Sequence, residues 1–176
     1  MKKSFIASAA VVAIIFAGAG IYFGTQHAAP AKQASPAVGQ LMQMTLADSK
    51  GQKQKLSQWQ GKFLVVNFWA TWCGPCVQEM PELSALQGEL ASKNIQLLGL
   101  GIDSPSNIAE FADKYKITYP VFSAGMDGTE LSRQMGNQAG GLPFTVLIAP
   151  DGSLVKSYLG RLNMNELRAD ITKLTM

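Results

Sequence analysis

The sequence predicts an α/β domain built on a parallel or mixed sheet, and three patterns indicate it. Phe63–Trp69 and residues 95–102 are nearly continuous apolar runs, which are typical of strands covered on both faces. Between them, apolar residues recur at helical spacing over residues 73–92. A strand, a helix and a second strand in this order form a βαβ unit. The chain has 176 residues, which is long enough for one ordinary domain.

A small hairpin is predicted before this unit. Residues 42–46 alternate between apolar and polar side chains, as a strand with one buried face does. Residues 48–51 supply turn-forming side chains, and residues 52–56 return as the second strand.

Further helices and a second hairpin are predicted after the unit. Ser104-Pro105-Ser106 has the composition of a helix start, and Pro150-Asp151-Gly152 that of a tight turn between strands. The predicted helices cover residues 107–115, 128–135 and 163–174, and the predicted strands cover residues 119–122, 143–148 and 154–159. The last helix is amphipathic and closes the domain.

The first residues predict a membrane segment. Lys2 and Lys3 precede residues 4–24, a stretch of 21 residues without a charge, which is long enough to cross a bilayer as a helix. Lysines flanking such a helix stay in the cytoplasm, so the domain is expected at the inner membrane, facing the periplasm. A cleaved signal peptide ending at residues 29–31 is the alternative, and it leaves a soluble periplasmic protein.

The predicted organisation has three parts. Residues 1–27 are the cytoplasmic tip and transmembrane anchor, or a signal peptide. Residues 28–40, rich in Ala, Pro, Ser and Gln, are a flexible tether. Residues 41–176 are the folded domain. Beyond residue 31 the chain carries 13 Lys and Arg against 12 Asp and Glu, so its charge gives no reason to expect a nucleic-acid partner.

The two cysteines of the chain lie in Trp72-Cys73-Gly74-Pro75-Cys76, directly after the apolar run Phe63–Trp69. A helix that begins near Cys73 aims unpaired backbone N–H groups and its positive dipole end at that sulfur, which stabilises a thiolate. Cys76 follows three residues later, within reach of the same sulfur. Gly74 and Pro75 form the turn between them, and proline suits a first helical turn. This spacing predicts a nucleophilic thiol and a resolving thiol.

Two other interpretations of the dithiol are weak. A zinc site needs further ligands, but the sequence has no second cysteine pair, and its single histidine, His27, lies far away in the chain. A structural disulfide closing so small a loop stabilises little. The redox-active pair Cys73–Cys76 is therefore expected to act without a metal or other cofactor.

Residues 66–81 contain the pattern Trp-Cys-x-Pro-Cys-x-x-Glu-x-Pro, and residues 141–145 read Gly-Leu-Pro-Phe-Thr. The first resembles the active-site stretch of the TlpA/ResA-like family of extracytoplasmic, membrane-anchored, thioredoxin-like thiol-disulfide oxidoreductases, and the second resembles its cis-proline loop. The leading hairpin and an extra βα element near residues 103–136 match as well. The resemblance implies a thioredoxin-like fold over residues 41–176.

The resemblance also implies an activity and partners. The expected activity is reduction of disulfides in client proteins, with apocytochrome c as a candidate client. A membrane electron donor of the DsbD/CcdA type is expected to reset the dithiol. Gly-Pro between the cysteines resembles thioredoxin, whose potential of about −270 mV is more reducing than the roughly −120 mV of DsbA, and this favours reduction.

Individual roles follow from the resemblance too. Pro143 is expected to be the cis-proline facing the dithiol, with the Leu142 backbone presented to the client. Trp72 is expected to cover the dithiol at the client-binding surface. Glu79 is expected to accept a proton near the buried thiol.

Two residues of the strand before the dithiol, Asn67 and Trp69, are not expected to take part in the chemistry. Asn67 replaces the aspartate that ordinary thioredoxins carry, and an amide cannot titrate, so acid-base chemistry must come from elsewhere. Trp69 is predicted to be a core residue.

Three other functions stay open at this point. A disulfide-donating oxidase or isomerase uses the same residues in the opposite direction. A peroxiredoxin needs a Thr-x-x-Cys spacing that Thr71-Trp72-Cys73 lacks. The third alternative is a non-enzymatic binding or chaperone module, in which the dithiol has no role in the function.

Overall fold

Seven strands and five α-helices occur in residues 34–90 and 93–175, the part of the chain that the computed structural model describes. The strands are β1 (Thr45–Asp48), β2 (Lys53–Lys55), β3 (Phe63–Trp69), β4 (Ile95–Gly101), β5 (Val121–Ser123), β6 (Phe144–Ile148) and β7 (Leu154–Leu159). The helices are α1 (Pro36–Gln43), α2 (Gly74–Leu90), α3 (Pro105–Lys114), α4 (Gly125–Gln134) and α5 (Met164–Thr175). A 3₁₀ turn, Leu56–Trp59, precedes β3.

The strands form one mixed sheet in the order β2-β1-β5-β4-β3-β6-β7. The central strand β3 pairs parallel with β4 and antiparallel with β6. In this register Asn67 lies opposite Gly99 on one side and opposite Thr145 on the other. Since β3, β4 and β5 run in the same direction, their carboxyl ends share one edge of the sheet, and the dithiol follows β3 at that edge.

Both faces of β3 are covered, as its apolar run predicts. Val65 and Trp69 pack in a core with α2, α3 and α5, whereas Val66 and Phe68 pack in a second core with α1 and α4. All seven residues of the strand are buried. The predicted α/β fold with a leading hairpin and an added βα element is therefore confirmed for the described residues.

The predicted tether and first strand are partly wrong. Residues 36–43 form helix α1, and strand β1 begins only at Thr45. The helix forms because Pro36 suits its first turn and because Ala37, Val38 and Leu41 share a face that packs into the second core. The folded unit accordingly begins at Ala34 rather than at residue 41.

The remaining differences are small shifts of element ends. The second hairpin strand stops at Lys55, because Leu56 begins the 3₁₀ turn, and α4 begins three residues before the predicted residue 128. The predicted anchor and residues 28–33 of the tether lie outside the described residues. Within the described ranges, none of the helices combines the length and apolar character that crossing a bilayer requires.

Candidate functional site

The dithiol lies between the end of β3 and the first turn of α2. Sγ of Cys73 and Sγ of Cys76 are bonded at 2.08 Å. The backbone N–H of Cys76 donates a hydrogen bond of 3.3 Å to Sγ of Cys73. A donated N–H of this kind favours the thiolate form of a cysteine. Cys73 is 7% exposed and Cys76 is 0% exposed. A second protein therefore reaches Cys73 first.

The turn between the cysteines borders open space. Gly74 begins α2, and Pro75 occupies its first turn, as expected. A side chain added at Gly74 would meet no atom within 4 Å, so the space beside it is open.

Within the described ranges, no group of three or more His, Cys, Asp or Glu side chains is placed to hold a metal ion.

Asp103 holds the loop before the dithiol. The Thr71 hydroxyl donates a hydrogen bond to Oδ2 of Asp103, and Oδ1 accepts from the Ser104 backbone and from Nδ2 of Asn107 at 2.7 and 2.8 Å. Partial burial raises the pKa of Asp103, but the hydrogen bonds from Thr71 and Asn107 outweigh it and leave the pKa below its usual value. An ionised carboxylate thus fixes the loop. The sequence carries no signal for this contact, which joins positions 32 residues apart.

The Leu142–Pro143 peptide bond is cis, as the resemblance implies. It directly precedes β6, whose first residue, Phe144, pairs with Phe68 near the end of β3. The Pro143 carbonyl accepts a hydrogen bond of 2.8 Å from the Gly160 backbone. In the described part of the chain, the backbone N–H and carbonyl of Leu142 form none of the hydrogen bonds found in loops and turns.

Two exposed apolar side chains lie at this end of the sheet. Trp72 is 71% exposed directly before Cys73, whereas Trp69 is fully buried, as predicted. Leu159 ends β7, pairs with Phe144 and is 62% exposed. A Cβ at Gly141 would lie 3.1 Å from Cδ1 of Leu159, so this leucine borders the loop that carries Pro143. No sequence pattern distinguishes Leu159, because it is simply the last apolar residue of a predicted strand.

Glu79 is fully buried one helical turn beyond Cys76. Its Oε1 accepts a hydrogen bond of 2.8 Å from Nδ2 of Asn67, and its Oε2 accepts one of 2.9 Å from the Leu162 backbone. Burial raises the pKa of Glu79, and the two donated hydrogen bonds only partly offset that rise. A buried carboxyl group whose pKa is raised binds a proton more readily than an exposed one, as a proton acceptor requires.

Asn67 makes contacts that its sequence position does not reveal. Besides its bond to Glu79, Nδ2 donates to Oγ1 of Thr145 at 3.0 Å. The two acceptors use both amide hydrogens, so the amide orientation is fixed. The sequence identified Asn67 as a group that cannot titrate, and the structure shows it holding the group that can.

Comparison with known proteins agrees with this geometry. The Redoxin family profile matches residues 28–172. The chain belongs to the Redoxin family. This Redoxin chain is 27% identical over 176 residues to the thiol-disulfide oxidoreductase ResA of Bacillus thuringiensis, with 99% of each chain covered. It is 29% identical over 124 residues to ResA of Geobacillus thermodenitrificans, covering 70% of this chain and 69% of that protein.

Solved structures show the same fold. A thiol:disulfide interchange protein of the thioredoxin family from Chlorobium tepidum superposes with a TM-score of 0.71 and 21% identity. The match covers 84% of this Redoxin chain and all of the other. The TlpA/ResA-like resemblance and the thioredoxin-like fold of the domain are thereby confirmed.

Proposed function

We propose that this Redoxin protein is a thiol-disulfide oxidoreductase that reduces disulfides in client proteins. The observation that carries the proposal is the asymmetry of the dithiol. Cys73 reaches the surface and accepts a backbone hydrogen bond, whereas Cys76 is fully buried one turn from the buried Glu79. One sulfur is placed to attack an outside disulfide, and the other is placed to act only afterwards.

The reaction begins when the Cys73 thiolate attacks one sulfur of a client disulfide. A bond forms between that sulfur and Sγ of Cys73, and the second client sulfur leaves as a thiolate. The Cys76 thiol then transfers its proton to the Glu79 carboxylate. The Cys76 thiolate attacks Sγ of Cys73, the Cys73–Cys76 disulfide forms, and the first client sulfur leaves as a thiolate. Two electrons pass from the dithiol to the client disulfide.

The client binds across Trp72, the Leu142–Pro143 segment and Leu159. The exposed side chains of Trp72, before Cys73, and Leu159, beside the cis-proline loop, supply apolar contacts. The Leu142 backbone, which has no loop partner among the described residues, supplies hydrogen bonds to an extended client segment. A surface of this kind recognises unfolded or extended protein segments around a cysteine.

The protein acts outside the cytoplasm, anchored by residues 4–24. The charge-free length of that segment after Lys2 and Lys3 supports the anchor, and cleavage near residues 29–31 is the alternative. Apocytochrome c is the proposed client, and a membrane protein of the DsbD/CcdA type is the proposed electron donor. The similarity to proteins named thiol-disulfide oxidoreductase ResA supports a client that carries a disulfide.

Trapping of covalent partners tests the function. In cells, a Cys76→Ser variant of the full chain should accumulate mixed disulfides through Cys73, because the step that releases the client is blocked. A Cys73→Ser variant is the matched control and should trap far less. Clients recovered in reduced form after wild-type turnover would support reduction. Clients that leave with newly formed disulfides would establish an oxidase or isomerase instead.

A further inference from the structure

Asn137 is a buried polar residue in the loop between α4 and β6, which also carries the proposed client-binding segment Leu142–Pro143. It is 2% exposed, although Gly136 and Gln138 on either side are exposed. Burying an amide without hydrogen bonds costs free energy, so buried asparagines are nearly always hydrogen-bonded. The partners of this amide therefore show what the side chain stabilises.

The Asn137 amide has one orientation. Its Nδ2 donates hydrogen bonds to the carbonyl of Gly141 at 2.9 Å and to Oγ of Ser132 at 3.4 Å. The Ser132 hydroxyl donates its own hydrogen to the Thr129 carbonyl at 2.8 Å, so its oxygen can only accept from Asn137. Because both neighbours of Nδ2 are acceptors, the reversed amide would set Oδ1 against the Gly141 carbonyl oxygen.

Among the described residues, the side-chain bond of Asn137 is the one hydrogen bond that ties residues 141–142 to the domain. Before this stretch, the Gly140 N–H donates to the Asn137 carbonyl at 3.0 Å. After it, the Pro143 carbonyl accepts from the Gly160 N–H at 2.8 Å. Asn137 therefore holds the approach to the client-binding segment with both its carbonyl and its side chain.

The stretch needs this restraint because two glycines precede Leu142. Gly140 has a φ of +66°, and glycine has more backbone freedom than any other residue. Gly141 also borders the apolar part of the client-binding surface, since a Cβ added there would lie 3.1 Å from Cδ1 of Leu159. A displacement of Gly141 would therefore move the Leu142 backbone and alter the contact with Leu159.

We propose that Asn137 is a positioning residue for client binding. Its Nδ2 holds the Gly141 carbonyl and thereby fixes the backbone N–H and carbonyl of Leu142 in the orientation that an extended client segment pairs with. A segment that is already ordered loses less conformational entropy when the client binds. This proposal rests on the proposed function, in which the client binds at Leu142–Pro143. It concerns binding alone, because the described hydrogen bonds of Asn137 involve neither the cysteines nor Glu79.

Steady-state kinetics of the reduced full chain tests the proposal. Asn137→Asp keeps the shape of the side chain but, when ionised, has no donor for Gly141, and Asn137→Ala removes the amide altogether. Each variant should raise the KM for a synthetic peptide closed by one disulfide about 2- to 10-fold, the factor to which one ordinary hydrogen bond corresponds. The kcat should stay at the wild-type value. The rate with hydroxyethyl disulfide, which has no peptide groups, should not change.

Thr118→Val is the matched control, because it removes a side-chain donor to a backbone carbonyl, that of Ser84, before the opposite end of β5. Its KM for the peptide should equal the wild-type value. Asn137→Ala is the variant that decides if the buried carboxylate of Asn137→Asp prevents folding. A wild-type KM in Asn137→Ala overturns the proposal, and so does an equal loss of rate with the peptide and with hydroxyethyl disulfide.

Nuclear magnetic resonance of the oxidised full chain tests the positioning without any client. The backbone order parameters of Gly141 and Leu142 should be near 0.85 in the wild type, as in rigid backbone, and should fall toward about 0.6 in Asn137→Ala. Unchanged order parameters in the variant overturn the positioning role. A wild type that reduces neither the peptide nor hydroxyethyl disulfide overturns the proposed function instead, and the order parameters still decide whether Asn137 holds the segment.

Discussion

Asn67 and Glu79, on neighbouring elements of the core, are joined by a hydrogen bond of 2.8 Å in which the amide is the donor. The bond favours the ionised carboxylate, whereas burial favours the protonated one. Because an amide cannot take up a proton itself, Asn67 adds no second titration next to the dithiol. In the proposed mechanism, proton transfer from Cys76 depends on a single carboxyl group, so replacing Glu79 should have a measurable effect.

Replacing Glu79 by glutamine should separate the two steps of the reaction. Glu79→Gln should form the mixed disulfide at the wild-type rate but resolve it about 10- to 100-fold more slowly near neutral pH, since it removes the base for Cys76. The defect should shrink as the pH rises and Cys76 ionises unaided. Rapid-quench analysis of a trapped client measures both steps. Glu89→Gln, on the exposed surface of the same helix, should behave like wild type. Equal resolution rates from pH 6 to 9 would rule out the role.

Stability should depend on pH through Glu79 in a direction that the raised pKa fixes. The folded protein binds this proton more tightly than the unfolded chain, where the pKa is near its ordinary value of 4.5. The contribution to the free energy of unfolding is therefore complete below about pH 4.5 and is lost as the pH rises through the folded-state pKa. Urea unfolding of oxidised protein should show this loss.

The same unfolding experiment on Glu79→Gln should lose this pH dependence. Its stability at any one pH is expected to fall, because the glutamine NH₂ group faces Nδ2 of Asn67 or the N–H of Leu162, which are both donors. Comparison of the two pH profiles separates the effect of Glu79 titration from the loss of stability that the glutamine causes at every pH. Retention of the full wild-type pH dependence in the variant would assign it to another group.

The reduced cysteines should react at different rates. Cys73 is partly exposed and accepts the Cys76 backbone N–H, whereas Cys76 is fully buried. Iodoacetamide near neutral pH should therefore alkylate Cys73 at least about tenfold faster than Cys76. Mass spectrometry of peptides after short reaction times measures the ratio. Faster labelling of Cys76 would reverse the assigned roles.

Removing the Thr71 hydroxyl should destabilise the loop that carries the dithiol. Thr71→Val removes a donor to the ionised Asp103 and should lower the free energy of unfolding by about 1–3 kcal/mol at neutral pH. Because the folded-state pKa of Asp103 is lowered, its stabilisation exists above the ordinary value of 3.8 and is lost as the pH falls through the folded-state pKa.

Acid titration of Thr71→Val should show that this loss begins at a higher pH, because the pKa of Asp103 rises without the donated bond. Thr172→Val removes a hydroxyl that donates to a helix carbonyl instead and is the matched control. Circular dichroism during the titration measures both variants. An unchanged acid transition in Thr71→Val would show that Asp103 does not depend on Thr71.

Trp72 should affect clients rather than folding. Since its side chain is mostly exposed, Trp72→Ala should change the free energy of unfolding by no more than about 0.5 kcal/mol. Reduction of a protein client should slow several-fold, while reduction of a small disulfide reagent should stay near the wild-type rate. Trp72→Phe keeps an apolar ring and should recover much of the client rate. Equal loss with both substrates would place Trp72 in the chemistry instead.

The elements defined by local patterns were predictable, and those defined by packing were not. The apolar run of β3 and the spacing of Cys73 and Cys76 require only neighbouring residues to interpret. The buried strand and the Cys73–Cys76 pairing are both confirmed. Helix α1 was not predicted because a segment rich in small residues has the composition of a linker. Its helical structure depends on packing of its apolar face into the second core. No sequence pattern at Leu162 or Asp103 reveals that they contact Glu79 and Thr71.

The position at which the described domain begins has a practical consequence. The Ser35 backbone N–H donates a hydrogen bond to the carbonyl of Gly152, in the turn between β6 and β7. This turn lies near the first residues of β3, whereas the dithiol follows the last residue of that strand. Seven extended residues separate these points by about 20 Å. A surface, fluorophore or fusion partner joined at Ala34 therefore attaches at the end of the sheet opposite Cys73. Immobilisation through this point leaves the reactive sulfur free for binding measurements.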